Sequence, residues 1–378
     1  MRKFIKKLLL FSLPFFVLTI LTTIGSLSIG EAIPISMIIE MQIHDSSIIY
    51  QPNWLRQDIM YYKYLGAISR HPEILILGSS RINQFRSAFF DTQAEHTYNA
   101  AIPSLDMNEI KRFLDALIEA EEIPHILIFN IDLPYFNADE SQVSFNRLPF
   151  IVPPKTYIFD YVPRAVRRTA SEWVENPSIL PSHLANSLSE NRRFYGIFAM
   201  TNAYGFRHDG SRYYRGVESN LANQLRVDWQ RLNKGEDWFE HGTEVNIAAL
   251  ADLESTLQQA QAQGIIVIAI LPPYHHEFYH PMLESNNYAY LDKARSQIRL
   301  LFNEYGMYLF DYTDTYPSGG SDDELYDSWH PGELLSLRIT LDIVQSLPDI
   351  FAASVDTKVL QSMIDSAESP FFVFGDNQ

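Results

Sequence analysis

Five short apolar runs, Ile74 to Leu77, a stretch ending near Asn99, His125 to Ile131, Ile265 to Leu271 and Met307 to Phe310, alternate with segments of helical periodicity. Runs this short and rich in β-branched residues, with no polar alternation, suit strands covered on both faces. Between them, Met107 to Ala120 puts Ile110, Phe113, Leu114 and Leu117 on one stripe, and Val245 to Ala262 does the same with Ile247, Leu250, Leu253 and Leu257. Asp106 and Glu109 have the spacing of a capping box for the first helix, and Gly264 is placed to end the second. Alternating strands and helices imply an α/β three-layer sandwich with a central parallel sheet of about five strands, whose chemistry sits at the carboxyl ends of the strands.

A second constraint lies at the amino terminus. After Lys7 no charged residue occurs until Glu31, and the interval is mostly Leu, Ile, Phe, Val and Thr, long enough to span a bilayer as a helix. Arg2, Lys3, Lys6 and Lys7 precede it, so the expected topology is a single-pass membrane protein with a cytoplasmic amino terminus and an extracytoplasmic domain, periplasmic or at the cell surface. The competing reading is a cleaved signal peptide, with Ser26-Leu27-Ser28 as the small-residue site; the length of the apolar run favours the anchor.

The expected organisation is therefore a cytoplasmic stub and anchor over 1–30, a stem over 31–70, the α/β domain over 71–350 and a tail over 351–378. From about 139 to 242 the strand–helix pattern lapses around Leu148-Pro149, Pro153-Pro154 and Pro181, which reads as an insertion or lid over the active face. The formal charge is −17, and the first thirty residues hold four basic side chains and no acid, so the remainder is more negative still. Such a surface repels phosphate backbones and argues against nucleic acid as a partner. With no cysteine in the chain, any nucleophile must be oxygen or nitrogen.

Two segments carry the chemistry. Ile74 to Leu77 runs straight into Gly78-Ser79-Ser80-Arg81, which sets a hydroxyl at the carboxyl edge of the sheet, where a helix amino terminus can offer N–H groups to an anion. Tyr326-Asp327-Ser328-Trp329-His330-Pro331-Gly332 follows the last strand, and an Asp three residues before a His can hold the imidazole in one tautomer while its other nitrogen takes a proton from a serine. Each alone is equally at home as a turn or a helix cap. Together they follow strands of one sheet on its productive edge, which is the layout of a nucleophile, a base and a group that orients the base.

On these residues the chain resembles the SGNH (GDSL-like) hydrolases. The resemblance implies Ser80 as nucleophile, His330 as base and Asp327 as its orienting partner, with no cofactor. Tyr98-Asn99-Ala100-Ala101-Ile102-Pro103-Ser104 is similar to the family's second block, with Ala101 where a glycine usually donates an oxyanion N–H. Asn130-Ile131-Asp132-Leu133 is similar to the third, with Asp132 where the oxyanion-hole asparagine would stand. The implied oxyanion hole is thus Ser80, Ala101 and Asn130 or Asp132, and loss of one such donor costs about 3 kcal/mol of transition-state stabilisation. Among the family, the anchor and export orientation resemble proteins of envelope polysaccharide O-acetylation, such as the alginate acetylation proteins. They imply an esterase or O-acyltransferase acting on acylated carbohydrate, beside a membrane-bound acyl-export partner. The alternative is a catalytically degenerate scaffold that binds polysaccharide or that partner.

Arg81, Asn99, His275 and His276 are expected to line the substrate cleft. His275, His276 and His280 follow Leu271-Pro272-Pro273, and with no carboxylate at a spacing typical of a metal site they are assigned no metal. Tyr204, Phe206, Tyr213, Tyr214 and Trp238 are candidates for stacking on sugar rings.

Overall fold

The computed structural model describes residues 1–53, 55, 58–139, 161–189, 191–214 and 221–374. Its chain divides into two compact units, the first comprising Met1–Tyr62, Leu148–His208 and Tyr213–Arg215, the second Lys63–Arg147, Asp209–Arg212 and Gly216–Gln378.

The second unit holds the expected sheet. Strands β1 (Ile74–Leu77), β2 (Thr97–Asn99), β3 (Ile126–Asn130), β4 (Ile266–Leu271) and β5 (Tyr308–Asp311) are all parallel, in spatial order 2-1-3-4-5. Register aligns Ile76 with Ile128 and Ile128 with Ile268, so one rung presents three isoleucines to the same face. That face packs on Leu335, Leu337, Ile339 and Ile343 of the helix Glu333–Ser346. The opposite face carries the alternate residues, and the Phe129 ring meets Phe302 of the helix Tyr290–Tyr305 at 6.4 Å. Coverage on both sides is why the three central strands, β1, β3 and β4, read as apolar runs.

The helix Met107–Glu119 carries the capping box, with Asp106 accepting from the Glu109 N–H and Glu109 from the Asp106 N–H. The helix Ile247–Ala262 starts two residues later than its periodicity suggests because the Asn246 side chain caps it, and Gly264 follows its end at φ +72. Ile247 is exposed, so the apolar stripe begins at Leu250. The expected tail is largely structured: Leu360 and Ile364 of the helix Thr357–Ser366 are buried in the core cluster, and Phe371 stacks on Tyr326 at 4.6 Å.

The first unit departs from expectation. Residues 31–62 are not a stem, because Ile35, Ile38, Ile39, Tyr50 and Tyr62 are buried in a unit shared with the helix Val162–Glu175. Its small sheet is built of very short strands, with Ile49–Tyr50 between Phe194–Tyr195 and Tyr204–Phe206 and Arg212–Tyr214 beyond. Much of the described part of the expected insertion belongs to this unit, and Phe206 and Tyr213 are buried rather than offered to a sugar. Pro149, Pro153 and Pro154 lie outside the described residues.

The amino-terminal helix Arg2–Ser28 is long and apolar enough to cross a membrane, and most of its side chains are exposed. Only its last turns are buried: the Thr169 hydroxyl donates to Ser26 Oγ at 3.0 Å, and a Cβ on Gly25 would come within 2.4 Å of the Trp173 ring. Beyond it, fully buried Glu31 accepts from the Asn53 and Ile197 N–H groups at 2.9 and 2.8 Å. Burial pushes this carboxyl up to about 7, against the lowering effect of those two bonds. A folded value above the ordinary 4.5 means that the contribution to stability is whole below that value and is lost as pH rises through about 7. The unit is therefore expected to lose about 3 kcal/mol across that window. Glu31→Gln should flatten the dependence, as read from thermal unfolding of the detergent-solubilised chain at a series of pH values.

Candidate active site

Order 2-1-3-4-5 reverses direction between β1 and β3, and the crevice beyond their carboxyl ends is where ligands bind in open α/β sheets. Gly78 leaves β1 at φ +147, and a Cβ there would sit 1.9 Å from Asn130 Oδ1, so no side chain fits. The turn delivers Ser80 to the first position of a short helical turn, Ser80–Ile82. The segment 327–330 follows β5 and precedes the helix Glu333–Ser346.

Across 250 positions of sequence the three expected residues meet. Ser80 Oγ lies 2.9 Å from His330 Nε2, and His330 Nδ1 lies 2.6 Å from Asp327 Oδ2. The other Asp327 oxygen accepts from the Trp329 and His330 N–H groups at 2.9 and 2.8 Å, so the carboxylate is fixed by its own loop. Burial raises the Asp327 carboxyl, but His330 and those backbone donors outweigh it and hold it below the ordinary value. An ionised Asp327 on Nδ1 leaves Nε2 free to accept the Ser80 proton.

The loop is held from two sides. Ser328 Oγ donates to Asp228 Oδ2 at 2.8 Å, and burial raises the Asp228 carboxyl, partly offset by this hydrogen bond. The Arg81 guanidinium donates to Trp329 O (3.0 Å), Asp132 Oδ1 (3.1 Å), Pro272 O (3.0 Å) and Pro273 O (2.5 Å), and lies over the Tyr274 ring. Both members of the Arg81–Asp132 pair are 4% exposed. Arg81 thus joins three loops while also lining the cavity beside Ser80, and Asp132, in the same lining, has its Oδ1 on the guanidinium.

The other expected residues sort themselves as clearly. The Ala101 N–H donates to Asn99 Oδ1 at 2.9 Å, so it is turned inward, and Asn99 gives its amide hydrogens to Ile82 O and Phe85 O. Asn99 is therefore a buried brace, not a cleft residue. Asn130 accepts from the Ser79 N–H and donates to Ser79 Oγ, locking the serine turn from behind. Of the four expected oxyanion groups, three are engaged in this way, and Ser80 remains. His275 and His276 stand away from the cavity: the His275 N–H donates to Ser328 O, and His276 pairs with Asp314.

The cavity beside Ser80 measures about 190 Å³ and is lined by Ser79, Ser80, Arg81, Ser104, Asp132, Pro134, Trp238, Trp329 and His330. The Trp238 and Trp329 rings meet edge to face at 4.7 Å, and Phe239 stacks behind Trp329 at 5.6 Å. Ser104, unassigned from sequence, stands at φ 64 in the cavity wall, a conformation that a non-glycine residue holds only where surroundings enforce it. The signal available was its place in the turn that closes Asn99 to Ser104. Comparison with family models, with curated proteins and with solved structures finds no match to this chain.

Proposed function

We propose that the chain is an SGNH-type serine esterase or O-acyltransferase acting on O-acyl esters, acetyl esters above all, of cell-envelope carbohydrate. The observation that carries the reading is the hydrogen-bonded sequence Ser80–His330–Asp327 opening on a small cavity. In the proposed reaction Ser80 Oγ attacks the ester carbonyl carbon while His330 Nε2 takes the hydroxyl proton. The same proton passes to the leaving alcohol as the ester C–O bond breaks, and an acyl-serine forms. Water or a sugar hydroxyl then attacks that ester, again through His330, and returns Ser80. A cavity near 190 Å³ accommodates a short acyl group, since a cavity of about 150 Å³ already holds benzene. Trp238 and Trp329 give the cavity an apolar aromatic wall.

The test is a fluorophosphonate probe on the detergent-solubilised full chain. Labelling confined to Ser80 and absent from Ser80→Ala is the expected result. No labelling, with no esterase or transferase activity, favours the second reading, a scaffold that binds polysaccharide or an acyl-export partner. One observation supports that second reading: Ala101 and Asn130 have their donors turned to Asn99 and Ser79.

The proposed setting is a single-pass anchor with the two units outside the cytoplasm. The basic residues before Leu8 support this orientation, and the packing of Ser26, Ile29 and Ala32 into the first unit supports retention of the helix. A reporter fused after Gln378 is expected to behave as exported, and the intact mass of the extracted chain to include residues 1–30. A cytoplasmic reporter signal overturns the orientation, and a mass beginning near Ser28 overturns retention.

A further inference from the structure

The sequence places His276 and His280 one turn apart at the start of the helix His276–Glu284, and the fold brings Asp314 to them from the loop after β5. The two imidazole centroids are 4.0 Å apart. His276 Nδ1 lies 3.3 Å from Asp314 Oδ1 and His280 Nε2 lies 3.3 Å from Asp314 Oδ2. One ligand atom from each residue can be chosen so that all three lie within 4.8 Å of one another.

These separations are long for hydrogen bonds, which centre near 2.9 Å between N and O. Each separation, to its own Asp314 oxygen, is also about the 3.3 Å at which two donors of one ion stand apart when metal–ligand bonds are about 2.0 to 2.1 Å. The three side chains are partly exposed, so water can reach a fourth position. Two nitrogens and one carboxylate suit a zinc-type divalent ion, whereas calcium and magnesium require a shell of oxygens. The neighbourhood is negative as well, since Asp322, Glu277 and Asp323 all act electrostatically on Tyr316, whose ring lies 4.5 Å from His276.

We propose that His276, His280 and Asp314 bind one divalent transition-metal ion of the zinc class, completed by water, as a structural clamp. The clamp joins the helix after β4 to the loop after β5. The same loops support the candidate active site: the His275 N–H donates to Ser328 O at 2.8 Å, and Asp322 Oδ1 accepts from the His276 N–H at 2.8 Å and from the Thr315 hydroxyl at 3.0 Å. None of the three ligands lines the cavity beside Ser80, so the clamp does not depend on the proposed reaction.

The full chain, extracted in mild detergent without a histidine tag and stripped with a chelator, is titrated with zinc chloride by calorimetry. Saturation at one equivalent with a rise in melting temperature is expected, as is a visible absorption band of four-coordinate geometry when cobalt(II) replaces zinc. His280→Ala should weaken zinc binding at least about tenfold. Asp314→Asn, close in shape to the wild type, should do the same and keeps the test intact if His280→Ala fails to fold. No saturable equivalent on the wild type overturns the proposal, and so does one equivalent bound with unchanged affinity by a folded variant.

Discussion

Ser80→Ala should bring hydrolysis of a small aryl acetate to its background, a fall of roughly four to six orders of magnitude in kcat. His330→Ala is expected to reach the same floor. The double variant should fall little further if, as proposed, Ser80 and His330, 2.9 Å apart, act as one device. Asp327→Asn is the more discriminating change. It keeps the shape of the loop but substitutes an amide for the carboxylate that holds His330 Nδ1 at 2.6 Å, which favours the wrong imidazole tautomer and costs roughly four orders of magnitude. Steady-state kinetics on folded protein checks all four variants. Independent, additive losses would show that the three residues do not form a relay, and activity retained by Ser80→Ala would place the nucleophile elsewhere.

Arg81→Met is expected to lower the stability of the second unit by about 3 to 5 kcal/mol, because it leaves Asp132 as a buried carboxylate without its cation. It also removes the donor for Trp329, Pro272 and Pro273 carbonyls. Urea unfolding followed by Trp fluorescence measures the loss. Pairing it with Asp132→Leu should restore part of it, since two apolar groups cost less in that place than one unpaired charge. Asp132→Asn alone bears on catalysis. With Oδ1 on Arg81 at 3.1 Å, the Asp132 carboxylate is held by a buried cation, so the substitution is expected to reduce stability and leave the rate per folded molecule about unchanged. A rate increase would show that the carboxylate does face the reacting carbonyl.

What could be read from the sequence follows from how locally each feature is encoded. The central strands were legible because a strand covered on both faces must be apolar at every position, as Ile74 to Leu77 and Ile266 to Leu271 are. The Asp106–Glu109 cap was legible because three residues suffice to make it. Ser80, Asp327 and His330 were legible as turn chemistry next to strands. The first unit was not, since it is assembled from 1–62 and distant segments through strands of two or three residues, too short to show a period. The roles of Arg81, Asp132, Asn99 and Ala101 were hidden for another reason. Whether a buried polar group serves substrate or scaffold depends on partners such as Trp329 O and Pro272 O, remote in the chain. Asp314 was invisible as a partner of His276 and His280 because spacing along the chain does not show which loops of a parallel sheet converge.

The span of 250 residues between Ser80 and His330 also orders events in time. A chain made from its amino terminus presents β1 and its serine turn long before β5 and the histidine loop exist. Parallel pairing can close only when each next strand has arrived, which makes such sheets slow to form. The Ser80 hydroxyl therefore meets the His330 imidazole only when nearly the whole polypeptide has been made. Interrupted chains ending anywhere before residue 330 carry Ser80 without His330, and so lack the hydrogen-bonded pair altogether.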